Sequence, residues 1–410
     1  MRRLRWFLPV VILLAVATAV SQGKATIRLG ALYPLTGPLA HYGNEELRGV
    51  KIAVQLVNAR GGVDGHLVTL DVADAPDVDA GWRQSYLLAK KGVPAIIGTY
   101  SSTIALAGSE AAHRNKVVWW ETGAVADLVT SRGYPEVFRL GPSGATLSAQ
   151  AAGFATEVLA PRFKIAPRAL RLAVVYENDP YGSSVGDGIK AQAATKGFRL
   201  VGSYPYDPAT ETFGGILRSL RAAKPDVVVI ASYLHDGARF RQAFVAAKLP
   251  VKAVIGKCAA FFTPEMAKLL GAKIDGVFVA DKPMEIAPAA LTTAGRSLES
   301  AFRSRFQTTY GRAPEAAAYM GFSGAWALVG EALPKAISFS APDIADAART
   351  LDLPDGSLPN GSGVHFAPAG DPLAGQNTRA FGVVWQWQGG RPVLVWPPIA
   401  ARGEPVFSSR

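Results

Sequence analysis

The five histidines and the single cysteine are the side chains of this sequence best suited to catalysis or metal binding. None of the histidines stands at the short spacing of a zinc site, and one cysteine cannot complete a thiolate site. The histidines are His41, His66, His113, His235 and His365. Cys258 with His235 is the only conceivable nucleophile and base, and a small residue such as Cys258 more often lines a pocket. The sequence contains no G-x-S-x-G elbow, P-loop or dinucleotide fingerprint, so we predict no enzyme, metal or cofactor.

The charged residues are scattered along the chain. Lys and Arg number 43 against 32 Asp and Glu, which gives a formal net charge of +11. A basic balance is compatible with nucleic acid or an anionic ligand. Beyond the N-terminus, however, there is no basic run or basic helix face, so we predict that the protein does not bind nucleic acid.

Residues 1–21 differ in composition from the rest of the chain. Arg2, Arg3 and Arg5 precede an apolar run from Trp6 to Val20, and small residues surround Ala19. This pattern predicts a secretory signal peptide, cleaved near Ala19, because the apolar run is short for a membrane span. Cys258 lies too far away to carry a lipid anchor. We therefore predict a protein that diffuses freely in the periplasm.

The elements that would position a site begin with one β-α-β unit. An apolar run from Ile27 to Leu32 predicts a buried strand, and His66 to Val72 predicts the next. Between them we predict a helix capped by Asn44, with Glu45 and Glu46 in its first turn. The apolar stripe of this helix consists of Leu47, Val50, Val54 and Val57.

Strands and helices alternate over most of the rest of the 410-residue chain. This alternation predicts two α/β lobes, each a doubly wound parallel sheet, joined by a hinge of three chain crossings. Phe381 to Trp387 and Val393 to Trp396 predict a closing hairpin. We predict that lobe 1 comprises residues 26–143 and 283–367, and lobe 2 residues 144–282 and 379–410.

The first loop and helix carry the motifs P-x-T-G-P-x-A-x-x-G and N-A-x-G-G-x-x-G. Their residues are Pro34, Thr36, Gly37, Pro38, Ala40, Gly43, Asn58, Ala59, Gly61, Gly62 and Gly65. Asp74, the segments 98–103 and 128–134, and Tyr181-Gly182 follow in the same order. The chain thus resembles the Leu/Ile/Val-binding family of substrate-binding proteins that serve ABC importers. The resemblance implies the type I periplasmic binding protein fold.

The resemblance also implies a ligand site between the lobes. Its predicted residues are Tyr42, Tyr100, Ser101, Ser102, Gly123, Ala124, Val125, Tyr181, Tyr233 and Cys258. In the family, a hydroxyl and N–H groups at the helix start near Ser102 hold a ligand carboxylate, as a helix N-terminus favours. Ser101 and Ser102 are equally compatible with plain helix capping. Tyr42, Tyr181 and Tyr233 match aromatics that cover the ligand, whereas His41 is interpreted as a solvated loop residue.

Two positions depart from the family pattern. Where amino-acid-binding relatives carry an acid that pairs with the ligand ammonium, this chain has Cys258, and Val125 replaces a usual hydroxyl. A buried ammonium without partners costs several kcal/mol, as an order of magnitude. We therefore expect a small organic carboxylate or neutral polar solute rather than leucine. Alternatively, Glu121 or Asp236 could turn into the site and replace the missing acid.

These observations predict the periplasmic receptor of an ABC importer. It would be a monomer that closes two lobes on a small-molecule solute and delivers it to a membrane permease with its ATPase. Binding of a branched-chain amino acid or an amide remains an alternative. A ligand sensor acting on a separate signalling partner is another, and neighbouring permease and ATPase genes would favour import.

Overall fold

The computed structural model describes residues 26–407. The predicted signal peptide lies outside these residues. No helix within 26–407 is both long enough and apolar enough to cross a membrane.

The first sheet contains five parallel strands in the order β2-β1-β3-β4-β5. They are β1 Thr26–Tyr33, β2 Leu67–Asp74, β3 Ala95–Gly98, β4 Val118–Glu121 and β5 Val137–Arg139. Helices cover both faces, as the buried strands require. These helices are α1 Ala40–Ala59, α2 Val78–Lys90, α3 Ser102–Arg114, α4 Leu128–Ser131, α11 Thr293–Tyr310, α12 Ala316–Trp326 and α13 Ala341–Arg349.

The second sheet repeats this strand order and adds a hairpin. Its seven strands run β14-β13-β10-β9-β8-β6-β7. They are β6 Arg171–Glu177, β7 Arg199–Tyr206, β8 Val227–Ala231, β9 Ala253–Lys257, β10 Phe278–Asp281, β13 Val383–Gln388 and β14 Arg391–Trp396. The predicted hairpin joins the parallel strands at this edge, where β13 is antiparallel to β10, so the second sheet is mixed. The covering helices are α5 Gly144–Phe154, α6 Ala160–Arg162, α7 Pro180–Lys196, α8 Gly214–Ala223, α9 Leu234–Ala246 and α10 Pro264–Leu270.

The closing hairpin turns where the sequence predicts. Gly389 and Gly390 connect the two strands. Both have a positive φ (57° and 77°), a backbone conformation that glycine adopts more readily than other residues. β11 Asp352–Leu353 and β12 Val364–His365 form a small antiparallel two-stranded sheet, and Val364 belongs to the core of the first lobe.

The helix α1 begins earlier than predicted. It starts at Ala40, and Asn44 lies inside it, where its amide donates to the carbonyls of Leu35 and Ala40. The assignment of Asn44 as the N-cap was therefore wrong. The reason is tertiary, because Asp74 accepts hydrogen bonds from Leu35 and Thr36 and so shortens the loop before the helix.

Because the predicted helix started too late, the prediction that Glu45 and Glu46 occupy its first turn was also wrong. Glu45 and Glu46 lie beyond the first turn of α1, and both are fully buried. The predicted apolar stripe is confirmed, since all four of its residues are buried: Leu47, Val50, Val54 and Val57. These residues belong to the core of the first lobe, and α1 packs against α11 and α12, which follow the parallel strands of the second sheet in the chain.

Candidate ligand-binding site

The predicted site residues follow the carboxyl ends of neighbouring parallel strands. In the first sheet, the connections leave β1 and β3 on opposite sides, and ligands of such sheets bind at this switch point. The loop after β3 leads into α3 at Ser102, and the loop after β4 carries Gly123. Tyr181 and Tyr233 occupy the corresponding positions after β6 and β8 in the second sheet.

The two lobes enclose a small cavity of about 10 Å³, here called the inner cavity. Its lining residues are Tyr100, Ser102, Gly123, Val125, Tyr181, Tyr233 and Lys282. Six of the ten predicted site residues thus come together around one space. The rings of Tyr181 and Tyr233 lie 5.3 Å apart, and the Tyr181 hydroxyl donates to the Lys257 carbonyl at 3.1 Å.

A second space of about 30 Å³, the outer cavity, lies beside the first. Tyr42 lines it, and its ring stacks on Tyr100 with centroids 4.5 Å apart and planes at 5°. Tyr100 borders both cavities, so the stacked pair forms a shared aromatic wall. The outer cavity is also lined by His41, Phe262, Thr263, Asp281, Lys282, Glu315, Ala316 and Ala317.

Three predicted residues have structural bonds of their own. The Ser101 hydroxyl accepts a hydrogen bond from the Ile104 amide at 3.4 Å. Ser101 is thus the N-cap of α3, the structural role that the sequence left open beside ligand binding. The Ser102 hydroxyl accepts from the Ala126 amide at 3.0 Å, although Ser102 also borders the inner cavity. Ala124 is buried and lines neither cavity, and its amide donates to Glu121.

The side chain of Cys258 lies outside the described part of the structure. Its predicted place in the pocket therefore stays a prediction.

Neither proposed substitute acid is available in this arrangement. Glu121 accepts from the amides of Thr99, Gly123 and Ala124 and from the indole of Trp119. Burial raises the pKa of Glu121 to about 7, against the opposing effect of these four donors. These bonds assign Glu121 to holding the site loops in place.

Asp236 is similarly engaged. It accepts hydrogen bonds from the Tyr206 hydroxyl and from the Tyr233 backbone amide. The second bond caps the amino terminus of α9. Burial raises its pKa, whereas these hydrogen bonds lower it.

Lys282 is the site residue that our sequence reasoning missed. It follows β10 directly and is only 7% exposed. Its ammonium donates to the Gly123 carbonyl and lies 5.1 Å from the centroid of the Tyr100 ring. A possible signal was the charged pair Asp281-Lys282 at the carboxyl end of an apolar strand.

Glu46 lies beneath the same loop. Neither of its carboxylate oxygens accepts a hydrogen bond from any residue between 26 and 407. A Cβ atom added at Gly123 would lie 2.3 Å from one of these oxygens, so only glycine fits there. Burial raises the pKa of Glu46 well above its ordinary value, the charge of Lys282 lowers it, and Glu121 raises it further.

The cleft is closed in this structure. Ligand pockets usually measure about 300–1,000 Å³, far above the volumes of the inner and outer cavities. The Asp127 amide donates across the cleft to the Ser184 hydroxyl at 3.0 Å. A larger groove of about 690 Å³ lies at the opposite, amino-terminal edge of the second sheet. It contains none of the predicted site residues.

Comparison with known proteins agrees with this arrangement. A family model described as "Periplasmic binding protein" matches residues 26–384. The chain is 32% identical over 388 residues to Leu/Ile/Val-binding protein homolog 8 of Brucella suis biovar 1 (strain 1330), and the match covers 94% of each protein. The chain belongs to the Leu/Ile/Val-binding family of periplasmic binding proteins.

Solved structures with this family's fold superpose over nearly the whole chain. The branched-chain amino acid transporter substrate binding protein LivJ from Streptococcus pneumoniae, in complex with isoleucine, has a TM-score of 0.73 at 17% identity. The alignment covers 91% of this chain and 100% of LivJ. A solute binding protein from R. palustris in complex with benzoate has a TM-score of 0.71 at 18% identity, covering 94% and 98%. These likenesses confirm the predicted type I periplasmic binding protein fold of this family member.

Proposed function

We propose that the protein is the extracytoplasmic receptor of an ABC importer and that its lobes close on a small organic carboxylate. The relatives named above are substrate-binding proteins, which supports a binding rather than an enzymatic role. Solved structures of this fold contain either an amino acid or an aromatic acid, so the fold alone does not select the solute.

The buried ammonium of Lys282 carries the proposal. It borders both cavities, and within the described part of the chain its three N–H donors have one hydrogen-bond acceptor, the Gly123 carbonyl. A solute carboxylate in the inner cavity would accept from Lys282 and face the start of α3, whose dipole favours negative charge. The four tyrosines of the two cavities would surround the apolar part of the solute.

We propose that the ten predicted residues together with Lys282 form this site. The sheets support the predicted lobe boundaries, since strands within 26–139 build the first sheet and strands within 171–281 and 383–396 build the second. Permease and ATPase subunits in the inner membrane would receive the solute from a monomeric receptor.

Three ligands of one carbon skeleton test the solute class. The ligands to titrate calorimetrically are leucine, 4-methylpentanoate (leucine without its amino group) and leucinamide (leucine with a neutral amide in place of its carboxylate). Benzoate is added as an aromatic acid. We expect an acid without an amino group to bind more tightly than leucine, and leucinamide to bind most weakly. Tighter binding of leucine than of either acid would overturn the carboxylate proposal.

Lys282→Gln tests the residue that carries the proposal. Hydrogen bonds to charged groups contribute about 1.5–3 kcal/mol, so the substitution should weaken acid binding by roughly 10- to 150-fold. Lys252→Gln is the matched control, because Lys252 is an exposed lysine of the second lobe that pairs with Asp226 at the far edge. Equal affinities in the two variants would show that Lys282 does not hold the solute.

A branched-chain amino acid is the second candidate, and Asp281 favours it. This buried acid lines the outer cavity beside Lys282, whose backbone amide donates to it at 2.7 Å. An α-ammonium group could pair with Asp281 while Lys282 holds the carboxylate. Asp281→Asn should then abolish leucine binding and leave binding of 4-methylpentanoate in place.

A further inference from the structure

A histidine and two glutamates meet at the rim of the cleft, outside the inner cavity. His41 Nε2 lies 2.8 Å from Glu315 Oε2 and 3.5 Å from Glu265 Oε2. One ligand atom from each residue lies within 4.8 Å of the others. Each side chain retains about a third of its exposure, so the group is accessible from solvent.

The three residues come from both lobes. His41 lies on α1, and Glu315 immediately precedes α12; both helices pack in the core of the first sheet. Glu265 lies on α10, whose Met266 and Leu270 belong to a core of the second sheet. The group is therefore complete only when the lobes are together.

Glu265 provides an independent indication of a ligand. Its Oε2 atom is buried, yet it accepts no hydrogen bond from any residue in the described range 26–407. A buried carboxylate oxygen without a donor is costly unless a cation compensates for it. The His41 imidazole lies 3.5 Å from this oxygen, and Arg312 is engaged by both carboxylate oxygens of Glu45.

We propose that His41, Glu265 and Glu315 bind a zinc-class divalent cation that joins the two lobes when the cleft is closed. An imidazole nitrogen with two carboxylate oxygens suits Zn²⁺, whereas Ca²⁺ and Mg²⁺ prefer oxygen ligands alone. In a tetrahedral site, ligand atoms about 2.0–2.2 Å from zinc are spaced roughly 3.4 Å apart. The observed spacings lie on either side of that value, so small rotations of the side chains would complete the site, with water as the fourth ligand.

The proposed site links metal binding to lobe movement. Opening the cleft removes Glu265 from the other two ligands, so the cation binds the closed form more tightly than the open form. A ligand with such a preference shifts the population toward the form it prefers. By reciprocity, the cation and the solute would each strengthen the binding of the other.

Calorimetric titration of Zn²⁺ into untagged, chelator-treated protein without solute tests the site. We expect one ion per chain, and a loss of affinity of at least tenfold in both His41→Gln and Glu265→Gln. His113→Gln is the matched control. His113 is exposed to a similar degree but lies near one carboxylate, that of Glu136 at 2.9 Å, where His41 lies near two. Its zinc affinity should equal that of the unchanged protein.

Small-angle X-ray scattering tests the link between the lobes. Zn²⁺ should reduce the radius of gyration of the unchanged protein and leave that of Glu265→Gln unchanged. The proposal is overturned by absence of stoichiometric binding, by binding that persists in either variant, or by binding without compaction. Because no solute is present in these measurements, their failure leaves the proposed transport function unaffected.

Discussion

At the scale of single residues, the buried charges around Gly123 distinguish this site. The Lys282 ammonium donates to the Gly123 carbonyl. The Glu46 carboxyl group lies next to Gly123 and has no hydrogen-bond donor within residues 26–407. Glu121 accepts four hydrogen bonds and fixes the same loop. The loop thus lies between an ammonium group and two buried carboxyl groups, and its stability depends on which of them are ionised.

Glu46→Gln should stabilise the protein in a pH-dependent manner. Because burial raises the pKa of Glu46, the folded state keeps its proton while the unfolded chain releases it above about pH 4.3. Stability therefore falls as pH rises from that value, and glutamine removes the effect. Thermal unfolding of the variant should occur at a higher temperature than that of the unchanged protein at pH 8, and at almost the same temperature at pH 4.

Glu110→Gln is the control of opposite sign. The Tyr134 hydroxyl and Arg114 lower the pKa of Glu110, so its ionised form favours the folded state above the unfolded pKa. This substitution should lower the unfolding temperature at pH 8 and have little effect at pH 4. A gain at pH 8 that is the same for both variants would contradict the role assigned to Glu46.

At the scale of elements, the first loop and α1 explain why the family motif contains glycine. Gly43 lies within α1, where a Cβ atom would stand 2.1 Å from the Pro34 carbonyl oxygen. The helix can therefore pass close to the preceding loop only without a side chain at this position. The approach brings Tyr42 against Tyr100 in the aromatic wall of the cleft.

Gly43→Ala should destabilise the protein even though alanine favours helices. The clash with the backbone of Pro34 requires a shift of the helix, and overpacking of this kind costs about 1–3 kcal/mol. Denaturant unfolding measures the loss. Gly214→Ala at the start of α8 is the control, since its nearest atom would be 3.7 Å away. Alanine there should be neutral or stabilising by up to about 1 kcal/mol.

At the scale of the whole molecule, the contacts between the lobes determine how closed the cleft is. Three of them join residues of different lobes: Lys282 with Gly123, the Asp127 amide with Ser184, and His41 with Glu265. Each is a polar contact that water can replace when the lobes separate. The small volumes of the cavities mean that a solute enters only after such separation.

Ser184→Ala should shift the molecule toward open forms. It removes the acceptor of the Asp127 amide, a contact of about 0.5–1.5 kcal/mol, and this cost falls on the closed form alone. Without solute, X-ray scattering should show a larger radius of gyration than for the unchanged protein. The neighbouring substitution Ser183→Ala should leave the radius unchanged. Ser183 donates through its backbone amide to the carbonyl of Asp179, the N-cap of α7, and alanine keeps that bond. Equal radii for all three proteins would show that this contact does not contribute to closure.

The sequence by itself determined the family, the alternation of strands and helices, and six of the seven residues that line the inner cavity. Periodicity identifies strands and helices because burial repeats along the chain, and the loop motif places Tyr42, Tyr100 and Ser102 relative to the strand ends. The antiparallel hairpin strand beside β10 and the early start of α1 escaped this reasoning. Both depend on which distant segments pair, in the second case Asp74 with the loop before α1.

Only the tertiary structure decided the electrostatics of the site. Lys282 reaches Gly123 across 159 positions of sequence, and Glu315 meets His41 across 274. No local spacing encodes such encounters. Lys282 reaches Gly123 where the two lobes meet, and Glu315 reaches His41 because α12 returns to pack on the first sheet. Burial then sets the charge states, and burial is a property of the assembled lobes.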